Sequence, residues 1–132
     1  MTEMKKRIVQ SEKAPAAIGP YSQAVKFGDT LHLSGQLPID VKVGKITETT
    51  AAGQTRQALK NVEYILAEEG LDLSDVLKVT VLLSDIENFQ EMNNVYSDFF
   101  KEPFPARIAY EVSALPAKAL VEIAVIAGKQ TI

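Results

Sequence analysis

The stretch Val121–Ala127, VEIAVIA, is apolar on both of its alternating faces, and a single carboxylate, Glu122, is set inside it. In a strand, Val121, Ile123 and Val125 share one face, and Glu122, Ala124 and Ile126 the other. A strand apolar on both sides expects cover on both sides. The rest of the chain offers two helices, too few to cover both faces of a sheet of about six strands. The remaining face therefore needs another partner. A second copy of the same chain is the simplest one, since an apolar patch of that size left open is an association surface. The expectation is a homo-oligomer with its sheets facing inward.

Working outward from that strand, the periodicity assigns the other elements. Residues 5–10 (KKRIVQ) read as a short strand, and 13–22, with two prolines and a glycine, as an irregular extended segment. QAVKF and LHLSG flank Gly28-Asp29, a pair suited to a hairpin turn. Residues 36–50 read as a loop. A helix follows, with Thr50 as N-cap, Gly70 just past its end, and Ala58, Leu59, Val62, Ile65 and Leu66 as its apolar stripe. DVLKVTVLLS is β-branched and alternating, hence a strand. Ser84 and Glu87 have the spacing of a capping box opening a second helix, whose inner face carries Phe89, Met92, Tyr96, Phe99 and Phe100. That helix must end before Pro103. Strands over 106–112 and 119–127 close the chain. The order β-β-β-α-β-α-β-β describes an α+β fold, one mixed sheet with both helices on one face. No repeat or linker interrupts residues 1–132, which read as one domain.

The bulk properties exclude several function classes. Of 132 residues, 46% are hydrophobic and 23% charged, an ordinary globular balance. No apolar run approaches the ~20 residues of a membrane helix, and MTEMKKRIVQ lacks the apolar stretch of a secretory signal. The chain has no cysteine, so disulfides, thiol catalysis and thiolate metal sites are absent; one histidine adds little to any metal site. This composition fits a reducing compartment, and the cytoplasm is the expected location. The net charge is −3, with basic residues scattered beyond Lys5-Lys6-Arg7, so no nucleic-acid-binding face is expected.

Charges inside apolar strands are the unusual feature. In FPARIAYEV, Phe104–Val112, alternation groups Arg107, Ala109 and Glu111 against Ile108, Tyr110 and Val112. Arg107 and Glu122 each sit where their neighbours are small or apolar, and an unpaired buried charge is prohibitive, so the two are expected to be paired or fully hydrogen-bonded. Two readings stand. One is an Arg–Glu bridge locking a register or subunit seam, favoured on spacing alone. The other is an anion site, because the arginine fork matches a carboxylate with two parallel bonds and a partly desolvated glutamate can hold a water or shuttle a proton.

Other candidates are weaker on their own. Tyr21, in GPYS, offers a hydroxyl at a cleft, or a loop ring packed on the core. Ser34 and Gly35, in LSGQLP, follow a strand where glycine allows backbone to approach a ligand, or simply bends the chain. His32 reads as a surface or seam residue. Asn93 and Asn94 must point in different directions on their helix, so at most one faces a pocket. Glu68-Glu69 reads as a solvated pair at a helix end.

Taken together, APAAIGPYSQAV, LSGQLP, DIENFQEMNNVYSDFF, FPARIAYEVSALP and VEIAVIA occur in an order that resembles the RidA/YjgF family of imine/enamine deaminases, from about Ala14 to Ala127. The resemblance implies a chorismate-mutase-like α+β fold, a homotrimer whose sheets line a central barrel, and clefts between subunits. It implies hydrolysis of reactive 2-imino and enamino acids, such as 2-aminoacrylate, to 2-keto acids and ammonia, with no cofactor or metal, no nucleic acid and no membrane. Carried over by position, Arg107 clamps the substrate carboxylate, Glu122 orients the attacking water, and Tyr21 hydrogen-bonds near the imine nitrogen. Ser34, Gly35, Phe89, Asn93 and Ala109 bind or shape around the substrate. This reverses the preference for a bridge at Arg107. The common family pattern has Ser and Cys after the arginine, whereas this chain has Ile108 and Ala109, which makes a non-catalytic carboxylate-binding module of the same fold a second reading. RNA cleavage, attached to some relatives, is opposed by the charge distribution.

Overall fold

In the computed structural model, which describes residues 4–131, the elements run β1 (Arg7–Val9), β2 (Ala24–Phe27), β3 (Thr30–Leu33), β4 (Ile39–Asp40), β5 (Lys45–Ile46), α1 (Ala51–Ala67), β6 (Val76–Leu83), α2 (Phe89–Phe99), β7 (Ala106–Glu111) and β8 (Val121–Gly128). Six strands form one sheet in the order β1-β2-β3-β8-β6-β7. The β6–β7 pair is parallel and every other pair in that sheet is antiparallel, so the sheet is mixed as expected. The stretch read as a loop over 36–50 contains the small β4–β5 hairpin.

Helix α1 begins where its cap predicts. The Thr50 hydroxyl accepts from the Gly53 amide at 3.0 Å, and past the helix end Gly70 takes a φ of +69°, a conformation glycine adopts without cost. The stripe Ala58, Leu59, Val62, Ile65 and Leu66 is fully buried against the sheet. Each of its large side chains contributes about 1.5–3 kcal/mol, and together they far exceed the roughly 1 kcal/mol of the cap. Three polar residues, Gln54, Thr55 and Asn61, are buried with it, and the Thr55 hydroxyl donates to the Ala51 carbonyl. Asn61 donates to the Leu37 and Ile39 carbonyls, and Gln54 ties Glu48 to Leu120, so the helix also pins the loops beside it.

The capping box expected at Ser84 and Glu87 does not form. Asp85 caps instead, accepting from the Glu87 amide in a single 3-10 turn, and the Ser84 amide bonds to Leu120. Asp85 is one residue nearer the turn, and its carboxylate takes the Glu87 amide that a Ser84 cap would need. In α2, Met92, Tyr96 and the adjacent Phe100 are buried as expected, while Phe89 and Phe99 are half-buried at the margin of the core.

Both helices cover one face. On it lie Val121, Ile123, Val125 and Ala127 of β8 with Val79, Val81 and Leu83 of β6, all buried. The opposite face carries Ile126, Ala124, Thr80, Leu82, Ile108 and Tyr110, half-buried or exposed; Ile108 and Tyr110 are 45% and 49% exposed. Glu69 departs from its reading as a solvated residue: Arg7 and Lys26 hold it at 2.6 and 3.1 Å, and Arg7 keeps its carboxyl below the usual range.

Candidate active site

Strand register decides where the charged residues go. Arg107 pairs with Val79 and Glu122 pairs with Leu82. Paired residues share a face, and Val79 and Leu82 are an odd number apart, so Arg107 and Glu122 lie on opposite faces of the same sheet. Of the two readings open from the sequence, a bridge between Arg107 and Glu122 within one chain is therefore not made. Each residue instead organises its own group of side chains.

The first group surrounds Arg107. Strand β7 is the edge of the sheet, and its helix-facing side chains reach α2. Arg107 Nη1 donates to Asn93 Oδ1 at 2.6 Å. The guanidinium carbon lies 4.7 Å from the Tyr96 ring centroid and 5.5 Å from that of Phe89, both within cation–π range. Arg107 forms no ion pair among the described residues. It lines an open pocket of about 420 Å³ with Asn93, Tyr96, Ser97, Phe104 and Pro105. Ala109, two residues on, shares the Arg107 side and is half-buried against the core. Glu111 is occupied otherwise, accepting from the Ile86 amide at 2.8 Å. Asn94 points away and accepts from Gln90, so of the two asparagines it is Asn93 that faces the pocket.

The second group surrounds Glu122. Gly35 lies directly over it: a Cβ on residue 35 would fall 2.8 Å from the Glu122 carboxyl carbon. The segment is held there by a two-way backbone pair between Gln36 and Ile123, at 2.7 and 3.1 Å. The Ser34 hydroxyl donates to the Ser22 carbonyl at 2.6 Å, which brings the Tyr21 segment alongside. Buried Gln23 anchors the same segment, donating to the Ser11, Ala14 and Pro15 carbonyls. Tyr21 is 53% exposed, with its hydroxyl accepting from the Ile18 amide at 3.4 Å, so its ring is not packed into the core. Burial raises the Glu122 carboxyl above its usual range, and no cation among the described residues opposes the shift. His32 is exposed on this face, 3.3 Å from the Thr30 hydroxyl.

A family model described as Endoribonuclease L-PSP matches residues 11–129. The chain belongs to the YjgF/RidA family. A RutC family protein from Pyrococcus horikoshii is 50% identical, over 95% of this chain and 99% of its own length. The 2-iminobutanoate/2-iminopropanoate deaminase of Homo sapiens is 44% identical, over 96% of this chain and 93% of its own. The crystal structure of a Rid family protein from Yersinia pestis superposes with a TM-score of 0.91 at 45% identity, covering 95% of this chain and all of that one. The two-helix, six-stranded mixed sheet is thus the Rid fold.

Within that family frame, Ile108 projects to the helix-free face with Thr80 and Ala124, away from the Arg107 pocket, and only Ala109 sits on the arginine's side. Phe104, Gln23 and Gln36 belong to these groups without standing out in the sequence, and Tyr96, expected in the core, also lines the pocket. A bulky aromatic just before a charged edge strand was the available signal for Phe104; the glutamines offered none.

Proposed function

We propose that this chain hydrolyses small 2-imino acids and their enamine tautomers to 2-keto acids and ammonia, in clefts formed between copies of itself. The observation that carries the reading is Arg107. It is a permanently charged fork at a pocket mouth, braced by Asn93 and two aromatic rings, with no carboxylate partner among the described residues. Such a group is preorganised for a ligand carboxylate. The names carried by close relatives support the same chemistry.

In this reading Arg107 grips the carboxylate while Phe89 and Phe104 wall the substrate side chain. Glu122, from the opposite face, is supplied by a neighbouring copy, together with Tyr21, Ser34 and Gly35. An enamine first takes a proton at its terminal carbon to become the imine. Water held by Glu122 adds its oxygen to the imine carbon and gives a proton toward nitrogen. The tetrahedral carbinolamine then loses the C–N bond, ammonia leaves, and the C–O bond becomes the keto group. Glu122, with its carboxyl raised by burial, is suited to passing a proton in both steps. Tyr21 contributes a hydrogen bond near the nitrogen. The reaction is intrinsically easy, so positioning of substrate and water accounts for the acceleration. A trimer in the cytoplasm is the assembly and location that go with this reading. The net charge of −3 and scattered basic residues offer little for tracking an RNA backbone.

The test couples the protein to a pyridoxal-phosphate dehydratase that releases 2-aminoacrylate and follows pyruvate formation. Wild type should accelerate release. Arg107→Ala should raise KM about 100-fold, and Arg107→Lys about 10-fold, since a point charge replaces the fork. Binding of 2-oxobutanoate without any turnover would favour the carboxylate-binding module instead.

A further inference from the structure

The Tyr96 hydroxyl is the one buried side-chain polar atom without a hydrogen-bond partner among the described residues. The residue is 6% exposed, and its ring packs on Phe100 with centroids 4.5 Å apart. For packing alone a phenylalanine would serve better, because it buries the same ring without stranding an oxygen. The hydroxyl lies under the site. The Arg107 guanidinium sits 4.7 Å over the same ring, and Tyr96 lines the same pocket. Burial raises the phenol, and Arg107 opposes the shift through its charge and through hydrogen bonding at close range; the guanidinium thus lies near the oxygen, in a geometry that falls short of a formed bond.

Arginine has five N–H donors. One is committed to Asn93, on the side facing α2. A carboxylate gripped in the two-bond mode uses two more, along one edge of the fork. That grip requires the fork's direction to be fixed; the Phe89 and Tyr96 rings restrain the guanidinium plane, but the single bond to Asn93 leaves the fork free to swing within it. We infer that the Tyr96 hydroxyl is a second anchor for Arg107, an acceptor that engages a guanidinium N–H when the fork turns to hold a carboxylate. Tyr96 is then a positioning residue that acts through Arg107 without touching the substrate. This role rests on the proposed reading of Arg107 as a carboxylate clamp.

The experiment titrates 2-oxobutanoate into the wild-type, Tyr96→Phe, Arg107→Lys and doubly substituted proteins by calorimetry, with imine turnover and melting temperature measured on the same samples. Tyr96→Phe should weaken binding about tenfold and raise KM similarly, with kcat within about twofold and an unchanged or higher melting temperature. In the Arg107→Lys background the same substitution should do nothing further, because the fork it anchors is gone. If wild type binds the keto acid and Tyr96→Phe binds it equally well, the anchor is overturned while the clamp stands. Equal weakening in both backgrounds, or a fall in melting temperature that accounts for the loss, also overturns it. If wild type neither binds the keto acid nor turns over imine, the clamp and the anchor fail together.

Discussion

Gly35 and Glu122 are in direct apposition: a single added methyl on residue 35 would lie within 2.8 Å of the Glu122 carboxyl carbon and 3.0 Å of its Oε1. The atoms in the way belong to the end of a flexible side chain, so Gly35→Ala can be accommodated by turning the carboxylate aside. The expected result is a melting temperature close to wild type, a stability change below about 1 kcal/mol, and turnover reduced about 10- to 100-fold. An active Gly35→Ala protein would show that Glu122 does not need its observed orientation.

Because Arg107 and Glu122 occupy opposite faces of one chain, a site that uses both must draw them from two copies. Arg107→Ala and Glu122→Gln chains, each inactive alone, should recover about a quarter of wild-type activity when co-assembled in equal amounts, since one cleft in four then receives both intact residues. Assay of co-refolded mixtures against the separate variants reads this directly. Mixtures that stay inactive despite confirmed co-assembly would rule out the shared cleft.

Glu122 also sets a pH dependence of stability. Its carboxyl is raised by burial in the fold, so the folded state binds the proton more tightly than the unfolded state. Stability therefore falls as pH rises from the ordinary glutamate value of about 4.3 through the raised folded value. Glu122→Gln removes the buried charge and should be more stable than wild type at pH 8, by less than about 1 kcal/mol given the residue's partial exposure. The advantage should vanish below about pH 4. Melting curves across that range provide the check; an advantage independent of pH would contradict the burial argument.

The opposite sign holds at Glu69. Its carboxyl is lowered, first by the hydrogen bond from Arg7, which outweighs the opposing effect of burial. That contribution is present at pH above the ordinary glutamate value and is lost as pH falls through the lowered one. Glu69→Gln should cost up to about 1 kcal/mol at pH 7, less at high salt, with the difference closing in acid. Denaturant unfolding at pH 7 and pH 3 would measure it.

The sequence by itself determined the two helices and the six main strands, though not the β4–β5 hairpin, together with the helix-free face and the identity of the unusual residues. Helix α1 was legible because its cap, its apolar stripe and Gly70 act within a few residues of one another, and strand β8 because its alternation is local. The Ser84–Glu87 box was misread for the same reason, since Asp85 offered an equally local competitor. Only the tertiary structure decided that Arg107 and Glu122 cannot meet within one chain. Alternation fixes a residue's side relative to its own strand, but two strands are related through the register each makes with β6, and that depends on long-range pairing. The bracing of Arg107 by Asn93, Phe89 and Tyr96 likewise arises from packing α2 beside an edge strand, a contact between segments whose patterns carry no mark of each other.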